Sequence, residues 1–489
     1  MSKGASAAAV LLPLALAGCL VGPDFKAPTP PETAAYGMPE TPRPEAGAQT
    51  PHIALGRSIP AQWWVLFHNP CLDDTLRQVI AASNTLAAAK ATLAQAREAV
   101  VGARAALYPQ FDLGASARRA SAGGGAGAAS LFSLVPGVSY SIDAFGGTRR
   151  RVEQAEALAE SQRYELAAAY LTLTGSSIDQ AITIASARLQ IATVEDLIRN
   201  DERDVELVKA AFVAGRAARS DVLTAEAQLA GDRTQLAPLR QQLSVARHAL
   251  SVLAAEPPGR WAPPEFGIED FTLPDDLPVS LPSELVRQRP DILASEALLH
   301  ADSAAIGVAT ADLYPSITLT ASLGQAAQTL ADLVQSASRI WSASAAVDAP
   351  LAHGGALRAQ QRAARDTYDA QLATYRQTIL LAFGQVADAL SALEHDGEFV
   401  ASSRDSVDIA GASLALQRAS YKAGRTSALQ LIVAENTYSN ARLVQARALG
   451  QRLADTAQLF VALGGGWWND PDRAPWSPAG AGTGGGATR

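Results

Sequence analysis

The sequence repeats itself once, at an offset of about 206 residues, and this limits the available folds more than any other feature. Leu107-Tyr108-Pro109 returns as Leu313-Tyr314-Pro315, and Asp143 returns as Asp348. Gly146-Gly147 returns as Gly354-Gly355, and Phe212-Val213-Ala214-Gly215-Arg216 as Tyr421-Lys422-Ala423-Gly424-Arg425. Glu226 matches Glu435 at the same step as that last pair, 209 residues. The anchors keep one order and nearly one spacing, far above the roughly 20–50 residues of a solenoid period. The chain is therefore a duplicated unit, and each copy is one half of something.

Within each half the hydrophobic period changes twice. A helical stretch from about Asp73 stops at Tyr108-Pro109, because proline disfavours helix in the residue before it. The period then falls to two: Phe111, Leu113, Ala115 and Ala117 alternate with Asp112, Gly114, Ser116 and Arg118. After the glycine-rich turn Gly123–Gly127, Val138, Tyr140 and Ile142 alternate with Ser139, Ser141 and Asp143. The second half repeats this with Ile317, Leu319, Ala321 and Leu323, then Trp341, Ala343, Ala345 and Val347. Four segments of about ten residues, apolar on one face and polar on the other, have the signature of membrane β-strands. The hydroxyls, with Asp112, Asp143 and Asp348, would then face a lumen. Two surface hairpins on a soluble sheet would alternate equally well, so the pattern by itself leaves both open. Four strands cannot close a barrel, and open edges are costly in lipid, so a membrane reading requires more than one copy.

The remaining stretches are long. Gly147 to Gly215 and Gly355 to Gly424 contain no proline, which allows helices of about 100 Å at 1.5 Å per residue. Ile379, Phe383, Val386, Leu390 and Leu393 step 4-3-4-3 as a coiled-coil seam. After each tip glycine the chain returns helically, with Pro238 expected to kink the first return where the second has Arg447. A Pro-rich, acidic linker joins the halves.

The N-terminus supplies an address. Ala5 to Ala17 is too short to span a bilayer but matches a signal h-region, and it ends in Leu16-Ala17-Gly18-Cys19. That ending resembles a bacterial lipobox, which implies cleavage before Cys19 and acylation of it, with Leu20 favouring the outer membrane. Only Cys71 remains beside it, expected as a small packed side chain, so no internal disulfide is expected. No later run reaches 18 apolar residues, so no transmembrane helix is expected. With a net charge of −8 and no basic face, nucleic acid is excluded as a partner. The six histidines are scattered and no catalytic motif appears, so the chain does not read as an enzyme.

Together these residues resemble the TolC-type outer-membrane efflux family, in its lipoprotein branch. The resemblance rests on the lipobox followed by Val21-Gly22-Pro23-Asp24-Phe25, Trp63-Trp64 with Phe67, and Arg289-Pro290-Asp291-Ile292 with Ala294 and Glu296. The two Tyr-Pro strand starts and the two tip motifs complete it. It implies an α+β fold: a long antiparallel helical coiled-coil barrel, with four transmembrane strands per chain in a homotrimeric, twelve-stranded β-barrel. The implied division is a leader (1–18), a lipidated segment (19–72), repeat one (73–255), an equatorial linker (256–289), repeat two (290–465) and a Gly-rich tail (466–489). The implied function is a passive exit duct in the outer membrane for drugs or other small molecules. A periplasmic adaptor and an inner-membrane pump would load it, with no cofactor beyond the lipid on Cys19. A duct for type I protein secretion and a non-channel, lipid-anchored periplasmic coiled coil are the alternatives.

The resemblance also assigns sites. Ser220 and Asp221 match gate positions that bond across to the second repeat, and Tyr421 matches the family's tip tyrosine. Thr426 stands where some members carry arginine, with Arg425 one residue earlier. Gln430 and Val433 stand where some carry pore-lining aspartates, so this gate should be less charged. Gly215, Arg216, Gly424 and Arg425 are the expected adaptor contacts, since tips are what an adaptor can reach. Phe132, Trp341, Tyr108 and Tyr314 are expected in interfacial aromatic belts.

Overall fold

The computed structural model describes residues 20–29, 36, 52–121, 128–274 and 276–469. The leader, Cys19, the Gly123–Gly127 turn and the tail beyond Asn469 lie outside these residues. In chain order the elements are β1 (His52–Leu55), α1 (Pro70–Ala82), α2 (Asn84–Ala105), β2 (Gln110–Ala120), β3 (Ala129–Ile142) and α3 (Gly147–Val213). Then come α4 (Arg219–Arg233), α5 (Leu236–Leu253), β4 (Asp276–Val279), α6 (Pro282–Gln288) and α7 (Pro290–Ala311). The chain continues through β5 (Ser316–Ala327), β6 (Arg339–Asp348), α8 (Ala356–Lys422) and α9 (Ala428–Ala462). Both long helices have 67 residues, as the proline-free stretches predict. The chain divides into two units, one of residues 1–29, 90–164 and 293–378, the other of the remainder.

The first unit holds an antiparallel four-stranded sheet in the order β2-β3-β5-β6. Its register carries the alternation across every strand. Phe111 faces Val138, Val138 faces Ala321, and Ala321 faces Ala343, so apolar positions fall on one face of all four strands. That face is bare, with Phe111 80% and Trp341 75% exposed. The other face is tied by hydroxyl pairs: Ser116–Ser133 at 2.8 Å, Thr320–Ser344 at 2.8 Å and Ser322–Ser342 at 2.9 Å.

Beside the sheet, Arg150 anchors the first described residues. Its guanidinium is almost fully buried and donates to Val21 O (3.1 Å), Asp24 (2.9 Å) and Glu153 (2.7 Å). Phe25 stacks on His300 with ring centroids 4.5 Å apart. Gly22 lies against the backbone of Gly307, where a Cβ would come within 2.4 Å of that Cα, so the close approach requires glycine. The Val21–Phe25 motif is thus a clasp.

In the second unit Trp63, Trp64 and Phe67 are buried, with Trp63 and Phe67 against Phe460 and Trp64 donating to Asp73 (2.9 Å). Arg289 bonds Asp291 (2.7 Å), Gln385 (2.8 Å) and Ala462 O (2.9 Å), which accounts for the Arg289–Ile292 motif. The seam of α8 is as read except at Phe383, which is half-buried: Ile379, Val386, Leu390 and Leu393 are buried.

Three local expectations are corrected. Cys71 is exposed, because Leu72, Thr75, Leu76 and Val79 take the buried stripe of α1. The first helical stretch is two helices, divided at Ser83, whose Oγ accepts from Leu86 N–H (3.3 Å) and so caps α2. Pro238 does more than kink the first return helix. It has no N–H and its ring clashes with the carbonyl four residues back, so the helix breaks at Thr234-Gln235, while α9 runs unbroken for 35 residues. By length and composition alone α7 could cross a membrane, but more than half of that stretch is buried within the protein, so it does not overturn the expectation of no transmembrane helix. The linker also holds β4, which pairs in parallel with β1, a pairing too short to signal itself in the sequence.

Candidate functional site

The two tips are built by identical chemistry 209 residues apart. Gly215 and Gly424 both have φ of +70°, a left-handed conformation open to glycine without penalty. Gly215 N–H donates to Phe212 O (2.9 Å) and Arg216 N–H to Ala211 O (2.8 Å). Gly424 N–H donates to Tyr421 O and Arg425 N–H to Ser420 O, both 2.9 Å. These paired bonds are a Schellman cap, which satisfies the last carbonyls of α3 and α8 and turns the chain.

Each return helix then starts on a cap. Ser427 Oγ accepts from Gln430 N–H and Gln430 Oε1 accepts from Ser427 N–H, both at 3.3 Å, a capping box. In the first repeat Ala218 holds the equivalent place and has no acceptor to offer. Only half the box remains: Asp221 Oδ2 accepts from Ala218 N–H at 2.9 Å. Asp221 and Gln430 are thus equivalent positions, and each carries out local capping of its own helix. Thr426 Oγ1 donates to Gln430 Oε1. Ser220 is exposed, and its carbonyl accepts from Thr224 Oγ1 (2.9 Å).

Between the turns lies an open cleft of about 970 Å³, whose lining includes Leu207, Arg216, Asp221, Tyr421, Thr426 and Leu429. The structure therefore brings together Arg216, Asp221, Tyr421, Gly424 and Thr426 of the residues singled out at the two tips. Gly215, Ser220, Arg425, Gln430 and Val433 do not line the cleft. Arg216 and Arg425 are exposed and, among the described residues, have no carboxylate partner. Val213 beside them is 86% exposed. An apolar cluster of Val205 and Val208 (α3), Val222 and Ala225 (α4) and Ile432 (α9) holds the two turns against each other. The repeat extends to an ion pair, Lys209–Glu226 at 3.2 Å and Arg418–Glu435 at 2.8 Å, both 209 residues apart.

The three aspartates expected at the lumen stand differently. Asp112 and Asp348 lie in the sheet, paired with Gly137 and Ser316. Asp143 lies one residue beyond β3 and accepts from Thr148 N–H (2.9 Å), Arg149 N–H (3.0 Å) and Arg149 Nε (3.0 Å), which fixes the start of α3. Trp341 and Tyr108 are exposed, while Tyr314 stacks on Phe145 at 4.7 Å.

Sequence reasoning missed a group of buried acids just behind the tips: Asp201 and Asp204 of α3, Asp232 of α4 and Glu435 of α9. Burial, followed by the neighbouring Asp232, pushes the Asp201 carboxyl far above the usual carboxylate range. Burial, followed by Glu435, does the same for Asp204. The signal was present: Asp201 and Asp204 continue the seam Val194, Ile198, Val205, Val208, where every other member is apolar.

The family described as "Outer membrane efflux protein" matches residues 75–256 and again 281–465, the two repeats. The pyoverdine export outer membrane protein OpmQ of Pseudomonas putida is 30% identical over 439 residues, covering 87% of this chain and 93% of that protein. Nodulation protein T of Rhizobium leguminosarum bv. trifolii is 27% identical over 459 residues, covering 93% and 96%. Among solved structures, the outer-membrane channel OprN superposes with a TM-score of 0.83 at 29% identity, over 92% of this chain and all of that one.

Proposed function

The chain belongs to the outer membrane efflux protein family, and from that premise we propose that it is the passive exit duct of a tripartite efflux system, working as a homotrimer. The observation that carries this reading is the sheet. One face is apolar across four strands in register and open to its surroundings, and the outer edges of β2 and β6 have no strand partner among the described residues. Such edges are costly in lipid unless further copies pair with them, and three copies would give twelve strands.

The tips supply the second half of the proposal. A periplasmic adaptor would dock on the exposed Arg216 and Arg425 beside Gly215 and Gly424, and the cleft residues Asp221, Tyr421 and Thr426 would belong to the gate. Relatives named for pyoverdine export, antibiotic efflux and toluene efflux support small molecules as cargo over protein secretion. Lipid on Cys19 would secure the clasped Val21–Phe25 segment to the inner leaflet of the outer membrane.

Outer-membrane fractions run on detergent gels with and without boiling test the duct. A heat-labile band at about three times the chain mass, lost on boiling, is the expected result, since closed barrels resist detergent. A band that runs as the monomer before boiling would reduce the protein to a lipid-tethered coiled coil. A photoreactive residue at Arg216 tests the tips: capture of an adaptor supports docking there, and self-crosslinks alone from a normal trimer remove it.

A further inference from the structure

We propose that the seam joining α3 to the return helices α4 and α9 is a proton-dependent latch, in which Asp201 shares a proton with Asp232 and Asp204 shares one with Glu435. Loss of those protons would drive α3 away from α4 and α9 just behind the tips.

The geometry leaves little choice. All four carboxyl groups are more than nine-tenths buried, Asp201 at 2% exposure. No N–H or hydroxyl donor reaches the buried Oδ2 of Asp201 or of Asp204. The hydrogen-bonding side-chain neighbour of each aspartate is instead a second carboxyl group, Asp232 for Asp201 and Glu435 for Asp204. Two carboxylates have no hydrogen to share, so each contact requires one proton. Where the protons sit also follows. Asp232 accepts from the amides of Gln228 and Gln235, both at 2.7 Å, and Glu435 accepts from Arg418 at 2.8 Å. Asp232 and Glu435 are thus already acceptors, so the hydrogen of each contact is placed on Asp201 and Asp204, whose Oδ2 atoms have no donor of their own.

The surroundings make the pairs decisive for packing. On one side is the cluster of Val205, Val208, Val222 and Ile432, and on the other that of Val194, Ile198 and Leu443. The charged groups facing Asp201 are Asp232, Asp204 and Glu435; those facing Asp204 are Glu435 and Arg418. Fully ionised, four carboxylates would face a single guanidinium between two apolar layers. A third seam aspartate, Asp396 of α8, meets Asp455 of α9 in the same way, with Arg452 and His395 alongside. The first pairs have no twin in the second repeat, where Ala410 and Ser413 stand 209 residues on.

Burial raises both proton-bearing groups, and the sign follows. The folded state holds these protons at pH values where the unfolded chain has released them. The seam is therefore intact below the ordinary carboxyl range and weakens as pH rises through the raised values. The latch lies within one chain and does not depend on trimerisation or docking.

The test uses the full chain carrying Cys71→Ser, with spin labels on Arg203→Cys and Ala230→Cys, exposed positions on α3 and α4, diluted with unlabelled chain. Between about pH 5 and about pH 9 the interlabel distance should lengthen and broaden, and Asp201→Asn with Asp204→Asn should hold it narrow throughout, because an amide donates as the protonated acid does. In the infrared, the unlabelled protein at neutral pH should show a protonated-carboxyl band that weakens in the double Asn variant, leaving the part that belongs to Asp396. A distance indifferent to pH, an Asn variant that shifts as the parent does, or no such band would each overturn the latch.

Discussion

Single residues decide how the chain turns and where it is held. At Gly215 and Gly424 no atom lies within 4 Å of an added Cβ, so the demand for glycine is purely conformational. Replacing either by Ala should cost about 1–2 kcal/mol. The amides of Arg216 and Arg425, whose bonds close the turns, should then exchange with solvent about 5–30 times faster. Unchanged exchange would mean that the left-handed turn is not held in solution. Arg150 is the other decisive residue. Arg150→Met would leave Val21 O, Asp24 and Glu153 without their donor, at a cost of about 2–3 kcal/mol with partners this exposed. Residues 20–29 should become sensitive to protease while the sheet persists; a segment that stays protected would show the clasp rests on Phe25 and Gly22. The glycines were legible because repetition pointed to them twice. Arg150 was not, since the middle one of three successive arginines after a glycine pair looks like any solvated helix start.

At the scale of elements, the sheet and the long helices answer to different rules. Strand alternation becomes meaningful only through register, because a slip of one residue sends every side chain to the opposite face. Ala343→Arg, on the apolar face, should destabilise the assembled protein by about 2–4 kcal/mol if that face meets the lipid interior. Ser342→Arg, next along the same strand but on the hydroxyl face, should leave the boiling-sensitive gel band in place. Equal tolerance of both would refute the lipid-facing assignment. In the return helices the two repeats diverge at Pro238 and Arg447. Pro238 divides the first return, and the unbroken α9 should lose about 3 kcal/mol or more from Arg447→Pro. Faster amide exchange around Arg447 would register that break, and no change would mean that packing, not continuity, holds α9. Helix lengths were readable from the spacing of prolines. The caps at Ser83 and Ala218, and the β1–β4 pair, were not, because each depends on a few backbone groups and leaves no periodic trace.

For the whole molecule, duplication and the lipobox-like N-terminal pattern reach furthest. Two matches to one family, over residues 75–256 and 281–465, follow the internal repeat. If Cys19 bears lipid, radiolabelled palmitate should enter the wild-type chain and not Cys19→Ala, while the boiling-sensitive assembly forms in both; an assembly lost with the lipid would make the anchor part of folding. The sequence alone determined the internal repeat, the 67-residue helices, the alternating strands and the glycine tips. Each is written in a period or an offset that local physical chemistry must obey. Only the tertiary structure decided that Asp221 and Gln430 occupy equivalent capping positions, that Asp143 caps α3, and that Asp201 and Asp204 face carboxylates in the middle of an apolar seam. Those outcomes depend on which side chains meet across helices far apart in sequence, and on whether a donor is within reach when they do. No spacing along one chain encodes that.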